Sequence, residues 1–340
     1  MAISYNIVNI KGVAAEPIVE EILFENDTIA KGLVTFEEDV KAETIFTEAT
    51  ASATLQAYTS GAPTSAGSLT AFDVAVTPVK VQFYQEFDPN SLRFSRFKRD
   101  MKPGAWEILS GEFERIVIGG LYAKKVSLAF EDQFWNSVTS ATKTAVAALT
   151  AGTANTSVGT AEKTAVAALT TGQIDGILAK MIYNDSNSSA TAGVGTRIKV
   201  AGTSITASNI KTEYDKVYAA IPAAVLSSDK MPVIYAPKSH KQMIIQANNV
   251  TTDYKKPFDV NPAATEFYFN GLKVEFVPLP EKVVICARPD HLIWCTDLKS
   301  DVNKMEINKI ANNREDMFIK HNGTLAAHVV NQQFNVLYVG

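Results

Sequence analysis

Cysteine, histidine and a strong charge of either sign are scarce in this chain, and each shortage closes a class of function. The 340 residues hold 2 cysteines, Cys286 and Cys295. Both sit in apolar runs, which suits buried thiols made in a reducing compartment rather than a disulfide framework. The 4 histidines, His240, His291, His321 and His328, are scattered without the pairwise spacing of a metal site. No C-x-x-C, H-E-x-x-H, G-x-S-x-G or phosphate-cradling glycine loop occurs. Accordingly no catalytic residue, cofactor-binding residue or metal ligand is assigned, no cofactor is expected, and the chain is read as a non-enzyme.

Charge is equally uninformative about a partner. Lys and Arg total 32 against 36 Asp and Glu, a net charge of −4 with a pI near 5.7. A dedicated nucleic-acid reader carries a basic footprint, although a weakly acidic protein can still surround nucleic acid without gripping it. No apolar run approaches the 18 or so residues needed to span a bilayer. The start, MAISYNIVNIKGVAAEPIVEEIL, has neither a basic n-region before an apolar stretch nor a small-residue cleavage site, so a product made and used in soluble form is expected.

A few local groupings invite chemistry and are better explained otherwise. Cys286 and His291 could form a dyad with Asp290 or Asp297, but Pro289 and the surrounding strand pattern speak against a catalytic cradle. Phe94, Arg96, Phe97, Lys98 and Arg99 form a basic-aromatic run that reads as a hinge rather than a nucleic-acid contact. The acidic pairs Glu20-Glu21 and Glu37-Glu38 read as solvated faces.

What is present is pattern. With 46% hydrophobic residues the chain can bury a sizeable core, and its length suits about two domains. From Glu43 the period is two: Ile45, Ala49, Ala51, Ala53, Leu55 and Ala57 alternate with Thr44, Glu48, Thr50, Ser52, Thr54 and Gln56. After the turn composition of Gly61–Gly67 a second alternating run, Phe72, Val74 and Val76, shifts phase across Pro78 to Val79, Val81 and Phe83. These runs predict one long β-hairpin. Its small alanines and threonines cannot build a private core, so either its own domain or another copy of the chain must cover it.

Between Pro103-Gly104 and Trp135, apolar residues from Trp106 to Leu128 recur at three- and four-residue steps, predicting a long amphipathic helix. Pro17–Phe24 suits a short helix. The octamer Lys143–Thr150 recurs identically as Lys163–Thr170 with Gly/Thr/Ser-rich sequence between the copies, and reads as a tolerated surface insertion. Further helices are expected over Gln173–Asp185, from Thr206 or Ser208 to Pro222, and from Pro237 to Ile245. Met231–Tyr235 reads as a buried strand. From Glu266 onward the pattern is almost all strand, with turns at Asn270-Gly271 and Asn322-Gly323.

Arm, long hairpin, long helix, α/β unit and strand-rich close: this order resembles the major capsid protein of tailed bacteriophages, with its Hong Kong 97-like fold. Met231–Met243 looks like the strand-then-helix of that family's axial domain, Asn270–Pro278 like the following hairpin, and Asn322–Asn331 with the closing strand like the peripheral-domain return. The resemblance implies an α+β fold with an N-terminal arm over 1–42 and an extended loop over 43–87. It then implies a peripheral domain over 88–172 (spine helix 104–135, inserted loop 136–172), an axial domain over 173–300 and peripheral return strands over 301–340.

By the same resemblance the protein self-assembles into homo-hexamers and homo-pentamers of an icosahedral shell around double-stranded DNA, which it contacts non-specifically. A portal and separate scaffolding or decoration proteins would be its other partners, with no membrane involved. It would be assembled in the bacterial cytoplasm and found in the virion. Some family members cross-link through a lysine in the extended loop, but no lysine lies between Ala42 and Val79, so no such cross-link is expected. Some carry a scaffold-like segment before the arm, whereas here only about forty residues precede the hairpin, which implies a separate scaffolding protein or none. The competing readings are an encapsulin-type nanocompartment shell, another repetitive phage or surface assembly, and a soluble α/β enzyme without recognisable motifs.

Overall fold

After a one-turn helix at Asp27–Ala30 come strand β1 (Thr35–Glu37), the ribbon strands β2 (Thr44–Ala53) and β3 (Gly67–Val76), and β4 (Val79–Phe87). Helix α1 (Lys124–Asn136), β5 (Ser137–Val138), α2 (Ser140–Ala148), α3 (Thr160–Ala168), β6 (Thr170–Thr171) and α4 (Ile177–Ile182) follow. Then come β7 (Ile198–Ala201), α5 (Ile210–Ala219), β8 (Val233–Pro237), α6 (His240–Val250) and β9 (Asp259–Asn261). The strand-rich close is β10 (Glu266–Phe269), β11 (Leu272–Val277), β12 (Val283–Ala287), β13 (Leu292–Cys295), β14 (Met305–Lys309), β15 (Met317–Val329) and β16 (Val336–Val339). This computed structural model describes residues 27–58, 60–62, 64–88, 122, 124–183, 196–250, 256–261, 266–297, 305–310 and 316–340. They divide into two units, one within 1–41, 78–134 and 294–326, the other 42–77, 135–293 and 327–340.

The second unit is built on a seven-stranded sheet in the order β7-β16-β12-β8-β11-β10-β9. Its centre is β8 and β12, whose runs VIYAP and VVICA are buried at every residue. Continuous apolar runs of this kind are what a strand covered on both faces requires. Helices α5 and α6 turn Ile210, Tyr214, Val217, Ile244 and Ala247 into one cluster with Ile234, Phe258 and Phe269. The Asn270-Gly271 turn forms as expected: both residues have positive φ, 48° and 82°, and the register closes at Phe269↔Leu272. That conformation is the one a two-residue hairpin favours.

Several expectations are corrected here. Pro237 does not open a helix. It ends β8, where it pairs with Val277, and α6 starts only at His240. The helix expected over 173–185 shrinks to α4, because the preceding residues are tied to the β5 segment: Ser137 donates to the Ile174 carbonyl at 2.6 Å and Gly176 N–H to the Ser137 carbonyl at 2.9 Å.

The segment 136–172 is not an inserted loop. Each octamer forms the C-terminal part of a helix, α2 or α3, and Val146 and Val166 are buried alike. The Lys143 ammonium donates to the Leu169 carbonyl at 3.0 Å and Lys163 to that of Leu149 at 2.7 Å, so each helix places a cation on the other's C-terminal end. Asn155, between them, accepts the Lys199 backbone N–H of edge strand β7 at 3.1 Å, and Lys199 Nζ donates to the Gly152 carbonyl at 2.7 Å. The connection thereby occupies a donor that an open sheet edge would expose.

In the first unit a five-stranded sheet runs β1-β13-β15-β14, with β4 also on β15. Asn322-Gly323 makes no turn: β15 runs unbroken from Met317 to Val329. Its first residues pair with β14 and β4, and Asn322 and Gly323 lie inside the β4 register, opposite Gln82 and Val81. Neighbours elsewhere in the chain thus satisfy the backbone groups a local hairpin would have used. The closing strand does not continue in this sheet. A one-turn bend at Gln332–Phe334 precedes β16, which sits between β7 and β12 in the seven-stranded sheet. Helix α1 is the part of the expected 104–135 spine that falls among the described residues. Positions 104–121, the Pro17–Phe24 helix and the Phe94–Arg99 run lie outside them.

Candidate functional site

The ribbon β2–β3 pairs 10 residues on each strand, from Thr44↔Val76 to Ala53↔Gly67. Residues opposite each other in an antiparallel pair share a face, so the two faces follow directly from the register. One carries Ile45, Thr47, Ala49, Ala51 and Ala53 with Leu69, Ala71, Asp73 and Ala75. The other carries Thr44, Phe46, Glu48 and Ser52 with Ser68, Val74 and Val76.

The apolar-patterned face is the one left open. Ile45 is 61% exposed, Leu69 77%, and the alanines around them are exposed too. Beyond the paired region Leu55 and Tyr58 stand fully in solvent. The inward face is anchored instead by the carboxylate of Glu48, which is 3% exposed. Its Oε2 accepts the Asn331 backbone N–H at 3.0 Å, and its Oε1 stands 3.5 Å from His328 Nε2. Phe46 stacks on the His328 ring with centroids 5.3 Å apart, and Val76 is buried. Across the open face Thr47 donates to Asp73 at 2.7 Å, holding the two strands in register. At Pro78 the chain leaves the ribbon, and β4 joins the other sheet, which explains the phase shift in the sequence.

The cysteines singled out for chemistry are buried, and His291 and Asp290 are engaged by other partners. Cys286 lies in the apolar cluster of the sheet, and burial pushes its thiol up to about 12; Cys295 is free and buried likewise. A thiol so raised supplies no thiolate near neutral pH. His291 Nδ1 bonds Asn335 Oδ1 at 2.8 Å, and burial lowers its pKa. Asp290 is held by Arg288 at 2.6 Å, a bond that depresses its carboxyl against the opposing effect of burial. The Cys286–His291 pairing therefore has no partner geometry behind it. His240 is buried, with Tyr214 Oη 3.0 Å from Nδ1 and the Glu281 carbonyl 2.9 Å from Nε2. The carbonyl can only accept, so Nε2 carries the proton and Nδ1 accepts from the tyrosine. His321 packs edge-on to Phe130, and Glu37 and Glu38 are exposed. Among the described residues no three His, Cys, Asp or Glu side chains are grouped to hold a metal ion. Nor is any helix long and apolar enough to cross a membrane.

No family model matches the sequence, and no curated protein matches it. Solved structures do match in fold. The satellite phage P4 procapsid aligns over 99% of this chain and 93% of its own, at 11% identity and a TM-score of 0.55. The capsid of the native GTA particle aligns over 99% and 94%, at 10% identity and a TM-score of 0.52. A structure of Gordonia phage Cozz aligns over 92% and 86%, at 11% identity and a TM-score of 0.52. The chain therefore has the mixed α+β fold found in these phage and particle structures, and the likeness runs nearly end to end.

Proposed function

We propose that the chain is a major capsid protein of a tailed bacteriophage with a Hong Kong 97-like arrangement, which acts by assembly rather than by catalysis. The observation that carries this is the ribbon's open face. A two-stranded ribbon is marginal in water, and exposed contiguous apolar surface marks a site of association. Here a ten-residue pair presents Ile45, Leu69 and a row of alanines to solvent. Small side chains make a flat surface that a second copy can approach closely. Repeated in a closed ring, one ribbon per neighbour gives a heterologous contact of the kind that builds cyclic rings. The reading extends to hexamers and pentamers in an icosahedral shell, double-stranded DNA inside, a portal and scaffolding or decoration proteins as partners, and residence in the virion.

Negative-stain electron microscopy of the purified chain, with sizing in parallel, tests it. Uniform closed shells on the order of tens of nanometres are expected. A discrete monomer or dimer under assembly-permissive salt and concentration would overturn the reading. Shells that hold an enzyme cargo and no DNA would replace it with a nanocompartment.

A further inference from the structure

We propose that Glu48 is a positioning residue that seats its own face of the ribbon inward, so that the face of Ile45, Leu69 and the alanines is held out for the neighbouring copy. The proposal rests on the assembly reading for the use of the open face, but the seating itself is a property of the single chain. Strand alternation says only that the two faces differ. Hydrophobic burial by itself does not choose between them, because Phe46, Val74 and Val76 share the face of Glu48 while Ile45, Leu69 and the alanines share the other, and turning the first face inward also buries a carboxylate at a cost.

A carboxylate is tolerated in such a place only where donors await it. The site that receives Glu48 is built in advance. Asn331 presents its backbone N–H from a left-handed conformation, φ +49°, which asparagine adopts more readily than other non-glycine residues. The bend is secured by Phe334 N–H on the Asn331 carbonyl at 3.0 Å and by Asn335, whose Nδ2 donates to the Val330 carbonyl at 3.2 Å. His328 stacks its ring on Phe46 and brings Nε2 to 3.5 Å from the other carboxylate oxygen, a proximity and not a hydrogen bond. Farther out the ribbon and the body line an open cleft of about 410 Å³ with Ala51, Ser52, Ser68, Pro222, Gln333 and Phe334. The hold on the inward face is thus concentrated where Glu48 sits.

The test compares Glu48→Gln, which keeps an acceptor oxygen, with Glu48→Leu, which does not. Amide hydrogen exchange is followed by mass spectrometry on the full chain, kept dilute and unassembled, with shell yield by microscopy beside it. Glu48→Leu should speed exchange over 44–53 and 67–76 by about tenfold or more and cut shell yield, leaving β12 peptides unchanged. Glu48→Gln should stay within about twofold of the parent chain in both. Parent-like protection of the ribbon in Glu48→Leu, or a Glu48→Gln as defective as Glu48→Leu, would overturn the proposal. If Glu48→Leu does not fold, the parent chain still decides: the Asn331 amide should be protected from exchange before assembly, and rapid exchange there would overturn it. A parent chain that never forms shells refutes the assembly reading and leaves the exchange result standing on its own.

Discussion

The ribbon and the β8–β12 pair solve the same backbone problem with opposite outcomes. The ribbon forms the longer ladder, 10 residue pairs against 3, yet most of its side chains are in solvent, whereas β8 and β12 are buried at every position. Ladder hydrogen bonds exchange for bonds to water and add little net stability, while buried apolar area adds much. Length of pairing therefore does not make a region self-sufficient. The body buries its central strands within one chain, whereas the ribbon leaves one face in solvent.

Substitutions that separate the two regions should fall in order of their cost to folding. Arg197 and Glu162 form a buried ion pair at 2.6 Å, with both side chains at most 1% exposed. Arg197→Met strands a buried carboxylate and should cost about 3–5 kcal/mol in urea unfolding, toward the lower end because Lys199 also lies 3.3 Å from Glu162. Ile285→Ala in β12, a fully buried position, should cost about 2–5 kcal/mol by the same measurement. A loss below about 1 kcal/mol at both positions would show that the body is not the chain's stability core. Gly271→Ala meets no neighbour but must keep φ at +82°, so about 1–2 kcal/mol is expected.

Burial lowers the pKa of His240 from its ordinary value, so the folded protein resists a proton that the unfolded chain accepts near pH 6.5. Its contribution is present above that value and is lost as pH falls toward the folded pKa. The urea midpoint should drop between pH 7 and pH 5, and His240→Asn should flatten that slope only in part, because His291 is shifted the same way. An unchanged slope in the variant would remove His240 from the account. Leu69→Asp on the open face of the ribbon comes last: it should alter stability by less than about 0.5 kcal/mol while abolishing shell formation in microscopy. If it leaves assembly intact, the difference drawn between ribbon and body carries no function.

Much of the fold was readable because it is local. Period-two alternation gave β2 and β3, the all-apolar runs gave β8 and β12, and Asn270-Gly271 gave its hairpin. The misreadings share one cause. Asn322-Gly323 has the same turn chemistry as Asn270-Gly271, but β4 and β14 claim the backbone on either side of it, so a local signal lost to distant partners. The repeated octamer looked dispensable because its value is reciprocal: each lysine bonds the other copy's carbonyl, a relation no single window contains.

The candidate site divides in the same way. That residues 44–76 contain two alternating strands was determined by the sequence alone, because strand geometry sends successive side chains to opposite sides; the register, which sets Val74 and Val76 of one strand on the face of Glu48 rather than with the Ile45 and alanine run of the other, was not. Which face turns inward was decided only by the tertiary structure. Glu48 is drawn in by the backbone N–H of a residue 283 positions away, and a partner at that distance exists only once the chain has folded.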